Sequence, residues 1–199
     1  MDLFRPSLEV RSLNGLRAFS RSATAPLTCG TLGNGSSPHF ACAVLARALG
    51  IQVTMVPYKG STFAMQDAAA GHIDIIPAYS TELFPFLESE KLRALAVMGP
   101  DRIAGAAMVP TMAESGFPGH ELMAFSGFYY PAGTSSEIVQ AMNRAAVKAL
   151  QKPDVLERSN VSGSSSLPFD AKEFAAFVAA QQARWKQLAD SAGIKVEPN

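Results

Sequence analysis

The stretch Leu27-Thr28-Cys29-Gly30-Thr31-Leu32-Gly33-Asn34-Gly35-Ser36-Ser37-Pro38-His39 decides how this chain folds. Its first three residues are typical of a β-strand, and three glycines then allow a tight turn. Ser36 or Ser37 can cap a helix whose first turn accepts Pro38, and Gly50 can end that helix. The stretch therefore predicts a strand, a glycine-rich turn and a helix in succession.

The same alternation of strands and helices continues beyond this stretch. Strands are predicted over 52–56, 73–76 and 92–97, with helices over 61–71 and 85–90 between them. Residues 99–120 are rich in proline and glycine and predict an irregular segment with one short helix at 111–115, followed by a long strand over 122–130. This is the pattern of an α/β protein with a parallel sheet.

The last third of the chain is predicted to be helical. Thr134-Ser135-Ser136-Glu137 has the form of a capping box, and Pro153 ends the helix that follows. Asp170 and Glu173 are predicted to cap a final helix that Gly193 terminates. Its apolar stripe contains Phe174, Phe177, Val178, Trp185 and Leu188.

The composition excludes several classes of protein. Of the 199 residues, 48% are hydrophobic and 17% are charged, and the formal net charge is zero. Disorder is excluded, and no basic surface for nucleic acid or anionic lipid is expected. No apolar run approaches the roughly 20 residues of a membrane span, and the sequence begins without a signal peptide. Cys29 and Cys42 are interpreted as buried free thiols, with a disulfide as the alternative.

The glycine turn is the strongest candidate for a binding site. Its backbone N–H groups and the start of the following helix could hold a carboxylate or phosphate without a cationic side chain. The spacing matches neither the dinucleotide fingerprint nor the P-loop, because no Lys-Ser or Lys-Thr pair follows the last glycine. A plain tight turn between strand and helix remains the alternative.

Other candidate sites are weaker. Pro57-Tyr58-Lys59-Gly60-Ser61 lies between a predicted strand and a helix, where α/β sheets bind ligands, but a solvated turn lysine above a packed tyrosine is the favoured interpretation. The three histidines lack the spacing of a metal site, so no metal or cofactor is expected. Asp67 and Asp74 are interpreted as hydrogen-bonded structural carboxylates.

Six short motifs occur in the order and spacing of one known family. They are Gly30-x-x-Gly33-Asn34-Gly35-Ser36-x-x-His39, Val56-Pro57-Tyr58-Lys59-Gly60, Gly71-His72-Ile73-Asp74, Lys91-Leu92-Arg93-Ala94-Leu95-Ala96-Val97, Val109-Pro110-Thr111-Met112-Ala113-Glu114-Ser115-Gly116 and Pro131-Ala132-Gly133-Thr134. From about Pro6 onward the chain resembles the substrate-binding receptors of tripartite tricarboxylate transporters, also called Bug receptors.

The resemblance implies a Venus-flytrap fold of the type II periplasmic-binding class and a non-enzymatic function. Such a receptor captures a small carboxylate and delivers it to a membrane permease, without inserting into the membrane itself. The family implies that Thr31, Gly33, Asn34, Gly35 and Ser36 contact the ligand, that His39 braces the loop, and that Tyr58, Lys59 and Gly60 form a turn near the cleft.

The sequence also departs from the family pattern. Ala78 replaces an aspartate that can hold a ligand amino group, which makes an amino-acid ligand less expected. Glu90 replaces a glycine, at the expense of a helix C-cap. Relatives carry a signal peptide and a first half-lobe before the segment with which this chain starts.

The chain is therefore expected to be N-terminally truncated, with impaired binding. Residues 1–125 would form one complete lobe and 126–199 the returning part of the other, where Phe174, Phe177 and Trp185 would lose partners. The receptor would be periplasmic, or cytoplasmic if Met1 is the true start. The alternative is an α/β enzyme acting on a phosphorylated or carboxylated small molecule, with Lys59 and Asp74 as acid and base.

Overall fold

A five-stranded sheet organises the first half of the protein. The structure, a computed structural model, describes residues 2–4 and 10–194. Its strands β1 (Asp2–Phe4), β2 (Leu27–Thr31), β3 (Val53–Pro57), β4 (Ile75–Pro77) and β5 (Arg93–Ala96) lie in the order β3-β2-β4-β1-β5. β2 is parallel to β3 and β4, whereas β1 is antiparallel to β4 and β5. The predicted α/β alternation is confirmed.

Helices connect these strands and then form the last third of the chain. The helices are α1 (Leu13–Ser22), α2 (Ser37–Leu49), α3 (Ser61–Ala70), α4 (Ser80–Glu88), α5 (Ser136–Leu150), α6 (Pro153–Ser162) and α7 (Ala171–Ala192), with a short 3₁₀ turn at Ala104–Ala106. Ser36 caps α2 by accepting a hydrogen bond from the His39 N–H, and Gly50 ends it with a φ of 61°. Both local signals acted as predicted.

Two apolar clusters cover the two faces of the sheet. One contains Leu45 of α2, and the other contains Leu83 of α4. The consecutive β4 residues Ile75 and Ile76 lie in different clusters, because neighbouring side chains of a strand point to opposite faces. Both faces of β4 are thus buried. This packing holds the carboxyl ends of the parallel strands in place against the helices.

The two cysteines form a disulfide, so the interpretation as free thiols is wrong. Cys29 lies in β2 and Cys42 in α2, with their Cα atoms 6.2 Å apart. That separation is in the normal range for a disulfide, and it arises because α2 packs directly on the strand that precedes it. The bridge closes a covalent ring around the whole glycine turn.

Three predicted elements differ in the structure. Residues 122–130 form no strand, since the Leu122 N–H donates to the Met98 carbonyl but no ladder of such bonds continues among the described residues. At 111–115 the chain makes a turn, closed by reciprocal bonds between Thr111 and Glu114, and not a helix. Pro85 lies inside α4 and does not begin it.

The caps of the late helices follow the prediction in one of two cases. Asp170 and Glu173 make the capping box at α7 in full. At α5 the box is absent: Ser135 is the N-cap without a side-chain bond, and the Thr134 hydroxyl donates to the Pro131 carbonyl 2.9 Å away. The capping box would require the Thr134 hydroxyl, which is bonded instead within the turn at Pro131.

The aromatic side chains of α7 contact other aromatic rings of this chain. Trp185 packs edge-on against Phe40 of α2, with ring centroids 5.1 Å apart. Phe174 and Phe177 both contact Phe125. The C-terminal half of α7 thus rests on the first half of the chain.

Across the described residues, no helix has the length and apolar character required to cross a membrane.

Candidate functional site

The glycine turn is held in shape by its own residues. Gly33 and Gly35 have φ values of 99° and 75°, a region that favours glycine. The Ser36 hydroxyl donates to the Gly33 carbonyl at 2.7 Å, and His39 Nδ1 accepts from the Gly35 N–H at 3.1 Å. His39 therefore braces the turn, and a ligand that took the Gly35 N–H would have to replace this bond.

A crevice opens beside the turn, at the carboxyl ends of β2 and β4. Its volume is about 250 Å³ including the open space at its mouth. The lining residues are Gly30, Thr31, Leu32, Pro38, Ser61, Ala64, Ile76, Pro77, Ala78, Tyr79 and Glu82. Ligands of open α/β sheets bind in this position, outside the carboxyl ends of the strands.

Three helices begin at this crevice. The first turns of α2, α3 and α4 contribute Pro38, Ser61 and Glu82 to its lining. The N-cap residues of α3 and α4, Gly60 and Tyr79, make no side-chain bond to their helices. Each helix N-terminus carries partial positive charge and N–H groups without intrahelical partners. The positive ends of three helix dipoles therefore lie around the crevice, although its accessible lining is almost wholly apolar.

The Tyr58 turn lies directly beside the glycine turn. The Tyr58 N–H donates to the Thr31 carbonyl at 2.8 Å. The Tyr58 hydroxyl donates to Asp67 Oδ2 at 2.8 Å, and Asp67 Oδ1 lies 3.2 Å from His72 Nδ1. Burial and this bond raise the pKa of Tyr58 to about 12, while the bonds from Tyr58 and His72 lower the pKa of Asp67. Tyr58 is thus a packed, anchored side chain, and Lys59 is exposed.

The structure brings some of the predicted site residues together at the crevice. Thr31 and Ala78 line it, and Gly33, Asn34, Gly35 and Ser36 continue from Thr31 in the adjoining turn. Ser61, the last residue of the second candidate turn, also lines the crevice, whereas sequence reasoning missed Tyr79 and Glu82. The available signal was positional, because both lie at the start of α4, which follows a parallel strand.

Asp74 lies away from the crevice. Its Oδ2 accepts bonds from both the N–H and the hydroxyl of Thr28, at 2.9 and 2.8 Å. Asp74 precedes Pro77 by three residues, and Pro77 lies at the end of β4 that adjoins the crevice. Three residues of strand span roughly 10 Å, which separates Asp74 from the crevice. The prediction of hydrogen-bonded structural roles for Asp67 and Asp74 is confirmed. Among the described residues, no group of three His, Cys, Asp or Glu side chains could hold a metal ion.

Comparison with known proteins identifies similar sequences and structures. Residues 3–194 match the family described as tripartite tricarboxylate transporter family receptor. Protein BugT of Bordetella pertussis is 28% identical over 192 residues, which cover 96% of this chain and 59% of BugT. Two solved structures from Rhodopseudomonas palustris are similar: Rpa4515 with adipate, at 29% identity and a TM-score of 0.86, and MatC with bound malate, at 27% and 0.81.

The matches extend over nearly all of this chain but only part of the similar proteins. The alignment covers 98% of this chain and 65% of Rpa4515, and 94% of this chain and 65% of MatC. The fold is therefore that of periplasmic binding proteins such as BugD, which aligns with a TM-score of 0.86. The chain spans a little over half of the length of BugT and of a relative from Pseudomonas sp. strain P51.

Proposed function

Because this chain belongs to the family of tripartite tricarboxylate transporter receptors, we propose that it binds a small carboxylate as a solute receptor. The observation that carries the proposal is the convergence of the first turns of α2, α3 and α4 on one crevice. Structural neighbours with bound adipate and malate support the same class of ligand.

The carboxylate would lie at the open mouth of the crevice, beside the glycine turn. Thr31, Asn34, Gly35 and Ser36 are the proposed contacts, with Tyr58, Lys59 and Gly60 beside them. Among the described residues, none of those that line the crevice is an arginine or a lysine. Neutral donors suit a receptor that must release its ligand, because charge-assisted bonds are roughly twice as strong.

The remaining features of the proposal concern the whole receptor. Residues 1–125 would form one lobe and 126–199 the returning part of the second, which close on the ligand. The loaded receptor would act in the periplasm, where it would deliver the ligand to a membrane permease. The Cys29–Cys42 disulfide supports that compartment, because such bonds persist in oxidising surroundings.

The enzyme alternative gains no support from the residues on which it depends. Asp74 is bonded to Thr28 at the opposite end of its strand, and the Lys59 side chain is exposed. A general acid and base must both reach the same substrate. Our proposal is accordingly a receptor without turnover.

A thermal-shift panel tests the function. We expect succinate, malate, adipate or citrate to raise the melting temperature, and ATP to leave it unchanged. A ligand at a hundred times its Kd stabilises by about 2.7 kcal/mol, or about 5–10 °C for a chain of this size. A rise with ATP and none with any acid would contradict the proposal.

A matched pair of variants locates the binding. Thr31→Val removes a hydroxyl at the crevice with little change in shape, and we expect about fivefold weaker binding for one lost hydrogen bond. Thr54→Val makes the same change at an exposed position of β3 and should bind as the unaltered protein does. Equal binding by both variants would place the ligand away from Thr31.

A further inference from the structure

The end of α6 lies against one wall of the crevice. Gly163 ends this helix, and its carbonyl accepts a hydrogen bond of 3.2 Å from the hydroxyl of Ser80, 83 positions earlier in the chain. Ser80 is the first residue of α4 and directly follows Tyr79, which lines the crevice. The last third of the chain is thus bonded to the start of a helix that forms the candidate site.

Gly163 occupies a notch that has no space for a side chain. A Cβ on Gly163 would lie 2.5 Å from Cγ2 of Ile103 and 2.9 Å from Cβ of Ser80. Both atoms are attached close to the backbone, so neither can swing aside as the end of a long side chain can. Ile103 also packs on the apolar cluster that contains Leu83 of α4. An alanine at position 163 would therefore displace the end of α6 from the crevice wall.

The notch lies between α4 and the 3₁₀ turn, which are packed closely together. A Cβ on Gly105 of that turn would lie 2.8 Å from the ring of Phe84 in α4. Helix α6 packs on this turn and on α5, while α5 contains no buried residue. The contact of Gly163 with Ser80 and Ile103 consequently holds the α5–α6 segment against the part of the chain that forms the crevice.

We propose that Gly163 is a positioning residue, which holds the first turn of α4 where the ligand requires it by docking between Ser80 and Ile103. This inference rests on the proposed function. The free N–H groups at the start of a helix can bind a ligand only from a fixed position, because hydrogen bonds weaken steeply when their length or angle changes. Loss of the docking contact should therefore weaken the binding of every acid to a similar extent.

Two alanine variants separate the docking contact from backbone strain. Gly163 and Gly193 both end helices in the left-handed region, with φ values of 70° and 67°, so alanine strains the backbone equally at both. A Cβ on Gly193 would meet no atom of the described residues within 4 Å. In calorimetry with succinate, malate, adipate and citrate, we expect Gly163→Ala to bind about fivefold more weakly, the effect of one lost hydrogen bond. Gly193→Ala should bind as the unaltered protein does.

Hydrogen exchange measures the docking contact without a ligand. We expect the amides of 80–83 and 104–106 to exchange at least fivefold faster in Gly163→Ala than in Gly193→Ala, because the end of α6 no longer covers them. The amides of β2 should exchange at equal rates in both variants, as an internal control for the intact sheet.

A second substitution should restore the fit. Ile103→Ala removes the atom that lies nearest to a Cβ at position 163, so Gly163→Ala/Ile103→Ala should bind as tightly as Ile103→Ala alone. If the two losses of affinity simply add, or if Gly163→Ala matches Gly193→Ala in binding or in exchange, the inference is overturned and the proposed function stands. If none of the four acids binds the unaltered protein, the proposed function fails, and the inference with it.

Discussion

Gly30 has no space for a side chain. A Cβ at this position would lie 2.7 Å from Cδ1 of Ile73, which is itself buried. We expect Gly30→Ala to lower the free energy of unfolding by about 1–2 kcal/mol through overpacking, measured by urea denaturation. Gly99→Ala is the control, because a Cβ there meets its nearest neighbour at an ordinary 3.7 Å. Equal stabilities of the two variants would contradict close packing at Gly30.

Glu90 adopts a conformation that favours glycine. Its φ is 54°, immediately after α4, where the sequence predicts the loss of a glycine C-cap. We expect Glu90→Gly to stabilise the protein by about 0.5–1 kcal/mol, measured as a higher melting temperature, since the left-handed region is unfavourable for residues with a Cβ. Glu88→Gly, two residues earlier in the helix, should destabilise by a similar amount. A lower melting temperature for Glu90→Gly would show that this backbone is not strained in solution.

At the scale of elements, the disulfide joins the strand and helix on either side of the glycine turn. Cys29 and Cys42 are separated by 13 positions, so the ring includes every residue of the turn. We expect the Cys29→Ala/Cys42→Ala variant to lose about 3 kcal/mol of stability, chiefly because its unfolded chain is less constrained. Urea denaturation of the variant and of the unaltered protein measures this difference.

Thiol labelling supplies the control for that prediction. The unaltered protein, unfolded without reductant, should react with no equivalent of a thiol reagent, and with two equivalents after reduction. Labelling of both cysteines before reduction would show that the thiols are free.

At the scale of the whole molecule, the segment 126–192 exposes apolar side chains. Phe128 is 74% exposed and Ile138 is 53% exposed, and α5 contains no buried residue. Exposed apolar surface promotes association. We expect the double variant Phe128→Ser/Ile138→Ser to bind less of a hydrophobic fluorescent dye, measured by fluorescence. It should also associate less with rising concentration, measured by analytical ultracentrifugation. Met108→Ser changes an even more exposed residue outside this segment and should alter neither. If the unaltered protein stays monomeric and binds no dye, the prediction that these side chains promote association is wrong.

The local features of the fold were predictable from neighbouring residues. The Ser36 cap, the Gly50 end and the capping box at Asp170 and Glu173 each depend on contacts within a few positions. The strand predicted at 122–130 failed because a strand requires hydrogen bonds from a distant partner, which local hydrophobicity does not reveal. The interpretation of the two cysteines as free thiols failed for the same reason, because their pairing depends on how α2 packs against β2.

The sequence by itself determined the alternation of strands and helices, the glycine turn and the family, because these depend on the order and spacing of residues along the chain. Only the tertiary structure decided that Cys29 meets Cys42 and that three helices begin at one crevice. Parallel strands place their carboxyl ends at one edge of the sheet, so side chains from separate βα units meet there.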